Sequence, residues 1–106
     1  MGIFDFLKCS GILTGIDEYR QTENALLLDV RTPQEYREGH LPGSKNLPLQ
    51  GIGDAESLVE NKNTKLFVYC YCGERSGQAA AALHSMGYTN VKNIGGIAVY
   101  GGALAR

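Results

Sequence analysis

At 106 residues, 43% hydrophobic and 20% charged, the chain has the size and composition of one globular domain that builds a core without staples. Ten basic against eleven acidic side chains leave no basic field for nucleic acid or an anionic membrane. Three cysteines in such a chain do not read as a disulfide framework, and Cys9, Cys70, Cys72 and two histidines lack zinc-site spacing, so no metal is expected.

The segment Met1-Gly2-Ile3-Phe4-Asp5-Phe6-Leu7-Lys8 has neither the basic lead nor the apolar stretch of a secretory signal. Phe6 stands where a myristoylation signal carries Ser or Thr. No run reaches transmembrane length, so a cytoplasmic, reducing location is expected. Phe4, Phe6 and Leu7 read as packing on the domain rather than skimming a membrane. Residues 1–10 read as an N-terminal extension of a single domain.

Ile12, Ile16 and Tyr19 then recur at helical spacing, with Thr14 as the expected N-cap. Ala25 to Val30 is a continuous apolar run of strand length, the pattern of a parallel strand covered on both faces. Thr32-Pro33-Gln34-Glu35 has capping-box form with proline at the first helical position, and Gly39 closes that short helix. A weaker strand from Ser44 to Leu47 follows the Pro42-Gly43 turn, and Asp54 is placed to cap a helix through Ser57, Leu58 and Val59. Leu66 to Cys70 is the second apolar run. Ala79, Ala82, Leu83 and Met86 form one stripe of the best helix, which Gly87 stops. Val91 to Ile94 reads as a further strand, and Gly95-Gly96 and Gly101-Gly102 bracket the apolar segment Ile97 to Tyr100. Alternating strands and helices predict an α/β domain with a mostly parallel sheet.

Chemistry collects where the apolar strands end. The first finishes Asp29-Val30-Arg31, and the second finishes at Cys70, followed by the loop Tyr71-Cys72-Gly73-Glu74-Arg75 and a helix beginning near Ser76. Ligands of open α/β sheets bind beyond the carboxyl ends of strands. If the two strands are parallel neighbours, Asp29, Arg31 and Cys70 share one edge. Loop N–H groups and a helix N-terminus facing a sulfur favour thiolate, the nucleophilic form. The loop reads as an anion-binding cysteine site, against the plainer reading of Cys70 as a buried filler.

Three blocks resemble the rhodanese family. Leu27-Leu28-Asp29-Val30-Arg31-Thr32-Pro33-Gln34-Glu35-Tyr36 with Gly39-His40-Leu41-Pro42-Gly43-Ser44-Lys45-Asn46-Leu47-Pro48 resembles its front half, Val68 to Ser76 its active-site loop, and Asn93-Ile94-Gly95-Gly96-Ile97 its closing segment. The blocks occur in the family's order and span about residues 13–103. The resemblance implies a three-layer fold with a roughly five-stranded parallel sheet flanked by helices. It implies a single-domain sulfurtransferase that uses no cofactor. Cys70 would carry sulfur as a persulfide, taken from a donor such as thiosulfate and passed to cyanide or a thiol, with Tyr71 to Arg75 as the cradle of backbone donors. The expected partners are small sulfur-containing anions, or a protein bearing a thiol or persulfide. Rhodanese-like phosphatases have five residues between cysteine and arginine; four separate Cys70 from Arg75, a ring suited to sulfur rather than phosphate.

The loop departs from the family in having Tyr71 where a basic residue is common, and Glu74 adds a negative charge. Both favour an alternative, a persulfide carrier with little thiosulfate turnover; a further alternative, a regulatory module that binds partners, is opposed by the intact Cys70. Tyr100 replaces a common tryptophan and is expected to be structural. Cys72 is either loop filler or a resolving thiol that links to Cys70, and Cys9 is incidental. Arg75 is expected to hold the loop through a pair with Asp29, or to touch substrate. Arg31 is read as either a solvent-facing anion guide or one half of a surface ion pair. Gly73 supplies a conformation that a side chain would forbid, and Ser76 caps the helix. His40 is structural and His84 lies on the surface.

Overall fold

The computed structural model describes residues 11–106. The expectations for Cys9, Phe4, Phe6 and Leu7 fall outside that range. Helix α1 (Ile12–Gln21) leads to strand β1 (Leu26–Asp29), helix α2 (Pro33–Glu38) and the short strand β2 (Lys45–Asn46). A 3-10 segment (Leu49–Asp54) runs into helix α3 (Ala55–Leu58). Then come β3 (Leu66–Cys70), α4 (Glu74–Ser85), β4 (Val91–Gly96) and a second 3-10 turn (Ile97–Val99). All pairings are parallel in the order β2-β1-β3-β4. The expected five strands are four among the described residues.

Side chains of a strand alternate between the faces of the sheet, and both faces are covered. Leu28, Val30, Leu66, Val68 and Cys70 pack with Ala55, Val59, Ala79, Leu83 and Tyr88 under α3 and α4. Leu27, Phe67 and Tyr69 pack on the opposite face with Ile12, Ile16, Leu41 and Ile94. All five residues of β3 are buried, which is why that strand reads as an unbroken apolar run. Each large apolar side chain so covered contributes about 1.5–3 kcal/mol. Cys70 thus lies on the α4 face, at the strand's carboxyl end, beneath the helix that follows it.

Two helix caps before β3 differ from expectation. α1 begins at Ile12 behind Gly11, not at Thr14: the Gly11 carbonyl already accepts the Gly15 N–H at 2.9 Å, which puts Thr14 inside the first turn. Gly15 sets the helix backbone against β4: a Cβ there would lie 2.4 Å from Ile94. Asp54 precedes α3 but makes no side-chain cap. The Thr32 capping box forms as expected, with Pro33 in the first turn and Gly39 at the end.

Candidate active site

Parallel pairing of β1 with β3 brings Asp29 opposite Tyr69, so the ends of both strands lie at one edge of the sheet. Register then separates the site residues. Asp29 shares the face of Leu27 and Tyr69, whereas Cys70 shares the other face with Leu66 and Val68. The expected Asp29–Arg75 pair is therefore corrected. Asp29 is fully buried and takes Arg31 instead: Nε reaches both carboxylate oxygens at 3.1 Å, Nη2 reaches Oδ2 at 2.7 Å, and the Arg31 backbone N–H reaches Oδ1 at 2.9 Å. Nη2 also donates to the Gly39 carbonyl at 2.6 Å. Arg31 is 4% exposed, so it is neither a solvent-facing guide nor part of a surface pair. It ties the strand end to the turn after α2, a use for which a bidentate guanidinium is suited.

The same turn is anchored from below. The buried Tyr69 hydroxyl accepts the Leu41 N–H at 3.0 Å and lies 2.9 Å from Ser44 Oγ. Burial, followed by the charge of Asp29, pushes its ionisation well above the ordinary tyrosine range. His40 stacks on Tyr36 and its Nδ1 lies 2.8 Å from the Tyr36 carbonyl oxygen, in keeping with a structural role. His84 is exposed on α4.

Cys70 is a free thiol, 1% exposed. Gly73 donates its backbone N–H to Sγ at 2.9 Å. It does so with φ +100° and ψ −10°, a left-handed conformation that costs a Cβ-bearing residue about 1–2 kcal/mol. Ser76 Oγ lies 3.4 Å from Sγ. Ser76 is not the helix cap; α4 starts at Glu74 behind Gly73, and Ser76, one turn in and fully buried, faces the sulfur. Cys72 is disulfide-bonded, and its partner is not the free Cys70. Of the two alternatives for Cys72, loop filler or a thiol linked to Cys70, the second is not formed: the structure holds no Cys70–Cys72 link. Tyr71 is 57% exposed at the mouth of the loop.

Three residues beyond the expected set hold this loop. Glu35, the capping-box glutamate of α2, forms a two-pronged pair with Arg75: Oε1 to Nη1 at 2.6 Å and Oε2 to Nη2 at 3.1 Å. Asn93 of β4 donates Nδ2 to the Gly73 carbonyl at 3.0 Å and accepts the Ser76 hydroxyl at 2.6 Å. Gly96, paired with Cys70, supports the loop backbone directly: a Cβ there would lie 2.0 Å from the Tyr71 oxygen and 2.4 Å from the Cys72 nitrogen. The Ala98 N–H adds a 2.9 Å bond to the same Tyr71 oxygen. The capping box marked Glu35 in the sequence and the Gly95-Gly96 pair marked the region of Asn93, but neither signal reported a contact with the cysteine loop.

The pair with Arg75 holds the Glu35 carboxyl down to about 2, against burial and with help from Thr32. A carboxylate whose folded value is depressed stabilises the fold above its unfolded value of roughly 4.3, and that contribution disappears as pH falls towards 2. With both side chains about one-third exposed, solvent screening limits the contribution to about 1 kcal/mol. Glu35→Gln is expected to lower Tm at pH 7 by about 5 °C, with the gap to wild type closing between pH ~4.5 and ~2. Thermal melts of both proteins across that range provide the measurement. A gap that persists at pH 2 would assign the loss to packing.

Among the described residues no group of three or more His, Cys, Asp or Glu side chains is arranged to hold a metal ion. None of the described helices is long and apolar enough to cross a membrane.

Residues 15–102 match the family described as "Rhodanese-like domain". The chain is 42% identical over 71 residues to the thiosulfate sulfurtransferase PspE of Escherichia coli, covering 66% of this chain and 68% of that protein. It is 40% identical over 75 residues to a sulfurtransferase of Allochromatium vinosum, covering 71% of this chain and 69% of the other. In three dimensions it superimposes on an E. coli rhodanese solved with anions, with a TM-score of 0.71 and 36% identity, over 77% of this chain and 98% of that one. A family match from the first helix to the turn after β4, and a fold shared with solved members, agree with a cysteine loop at the carboxyl edge of a parallel sheet: the chain belongs to the rhodanese-like domain family.

Proposed function

We propose that the chain is a sulfurtransferase in which Cys70 carries the transferred sulfur as a persulfide. The observation that carries this reading is the placement of a free cysteine at the end of a buried strand, with the Gly73 N–H 2.9 Å from its sulfur and the N-terminus of α4 beside it. The names borne by the relatives support sulfur transfer as the class of reaction. With thiosulfate, the Cys70 thiolate attacks the outer sulfur, the S–S bond of the donor breaks, and sulfite leaves with the electron pair. The product persulfide keeps one negative charge, so the dipoles that face the thiolate also face the intermediate. Cyanide or a thiolate then takes the terminal sulfur and returns Cys70 to its thiolate. At 1% exposure, Cys70 favours a narrow donor that presents a terminal sulfur end-on.

A second reading, a persulfide carrier with little thiosulfate turnover, is favoured by the charges around the mouth. Arg75 is engaged by Glu35, Arg31 is buried on Asp29, and the residue after the cysteine is the exposed Tyr71. With both arginines paired, the mouth offers little positive potential to draw in a dianion such as thiosulfate, whereas a less charged or protein-borne persulfide depends less on it. The test is to incubate the protein with thiosulfate or with polysulfide, measure the mass of the Cys70 peptide, and assay thiocyanate formation. One added sulfur atom on Cys70 with either donor supports the reading. Thiosulfate turnover then marks the enzyme, whereas loading by polysulfide alone marks the carrier. Failure of both donors to load Cys70 overturns both readings.

A further inference from the structure

The Ser76–Asn93 pair raises a question of proton ownership. Ser76 Oγ lies between two possible partners, Cys70 Sγ at 3.4 Å and Asn93 Oδ1 at 2.6 Å, and a hydroxyl has one proton to give. Asn93 Oδ1 accepts only. Its other neighbour is the Gly95 N–H at 3.0 Å, and Nδ2 is turned to the Gly73 carbonyl at 3.0 Å, which settles which end of the amide faces Ser76. The Ser76 proton therefore belongs to Asn93 in this arrangement, and Ser76 presents a lone pair to the sulfur. A protonated Cys70 satisfies that lone pair with its S–H. A thiolate or persulfide does not, because it too only accepts.

We infer that Asn93 is a positioning residue that withholds the Ser76 hydroxyl proton from Cys70 while the sulfur is protonated, so that forming the sulfur anion requires the hydroxyl to turn from Asn93 to the sulfur. The inference rests on the reading of Cys70 as the reacting sulfur and adds a hydrogen-bond switch to it. Asn93 keeps the Gly95 N–H after the turn, so the exchange leaves no buried group without a partner. The second end of Asn93 fixes the Gly73 carbonyl, and with it the loop, while the hydroxyl moves.

Asn93 is exposed and lines an open groove with Gly73, Glu74, Gly77, Gln78 and Ala81, so a leucine there opens no cavity. Four proteins make the test: wild type, Asn93→Leu, Ser76→Ala and the double variant. The readouts are the 240 nm absorbance of the Cys70 thiolate at pH 7, taken as the part lost on alkylation, and the rate of iodoacetamide alkylation of the Cys70 peptide. Neither needs a sulfur donor, so a protein that fails to transfer sulfur still tests the switch. The charged groups around the sulfur, Arg75 with its partner Glu35 and the loop residue Glu74, are the same in all four. Asn93→Leu frees the hydroxyl for the sulfur, and the ratio of thiolate to thiol is expected to rise about three- to tenfold, the worth of one modest hydrogen bond. In the Ser76→Ala background the rise is expected to be absent, leaving at most the smaller change that comes from releasing the Gly73 carbonyl. An equal change in both backgrounds, or a fall with Ser76 present, would show that Asn93 only braces the loop and would overturn the inference. If Asn93→Leu does not fold, the wild-type protein supplies the answer by NMR. The Asn93 side-chain carbonyl carbon shifts on ionisation of Cys70 when Ser76 is present and stays still in Ser76→Ala; no shift in wild type overturns the switch.

Discussion

Cys70→Ser is expected to reduce sulfur transfer by at least roughly a thousandfold, to the level of buffer, because a serine hydroxyl forms no persulfide and the covalent route is lost outright. The fold is expected to survive. Serine is close in size to cysteine, and its hydroxyl can still accept the Gly73 N–H and meet Ser76 Oγ. The stability change should stay within about 1 kcal/mol. Thiocyanate formation, persulfide mass and a thermal melt on the same sample make the measurement. A variant that melts like wild type and still turns over at a tenth of its rate would remove Cys70 from the centre of the chemistry.

Gly96→Ala is expected to have the next largest effect, although residue 96 carries no chemistry of its own. An added Cβ would lie 2.0 Å from the Tyr71 carbonyl oxygen, 2.2 Å from its carbon and 2.4 Å from the Cys72 nitrogen. Those atoms are backbone, held also by the Ala98 N–H, and cannot swing aside as a side-chain end would. Either the loop lifts off β4 or β4 moves from β3, where Gly96 pairs with Cys70. Overpacking of this kind costs about 1–3 kcal/mol, and the Gly73 N–H moves away from the sulfur as the loop lifts. Activity is expected to fall about a hundredfold or more, in line with the sensitivity of catalysis to misplacements near 1 Å. Alkylation of Cys70 should quicken at the same time, since the sulfur loses its cover. Activity within a factor of two of wild type would mean that the loop tolerates displacement from β4, and that its contact with Gly96 does not position the sulfur.

The remaining prediction on the loop, the Glu35→Gln melt, probes a link that neither residue reveals alone. Glu35 serves two partners at once: Oε1 accepts from Thr32, closing the N-terminus of α2, while the carboxylate grips Arg75. The end of β1 is thereby coupled to the loop after β3 through one side chain. In the sequence the first role is legible, because a capping box is a local pattern of four residues. The second joins positions 40 apart and depends on how two helices are set on the sheet.

Local physics written in the order of residues determined a good deal: the apolar runs that became β1 and β3, the capping box, the left-handed Gly73, and a cysteine at the end of a buried strand before a helix. Each of these depends on neighbours within a turn or on the two-residue period of a strand. What only the tertiary structure decided was pairing across the sheet. The register of β1 against β3 put Asp29 and Cys70 on opposite faces, which sent Arg31 to Asp29 and left Arg75 to Glu35. The approach of β4 brought Asn93 and Gly96 to the loop. Side-chain partners of this kind are chosen by distance in space, and distance in space follows from how strands and helices pack rather than from any one segment's preference.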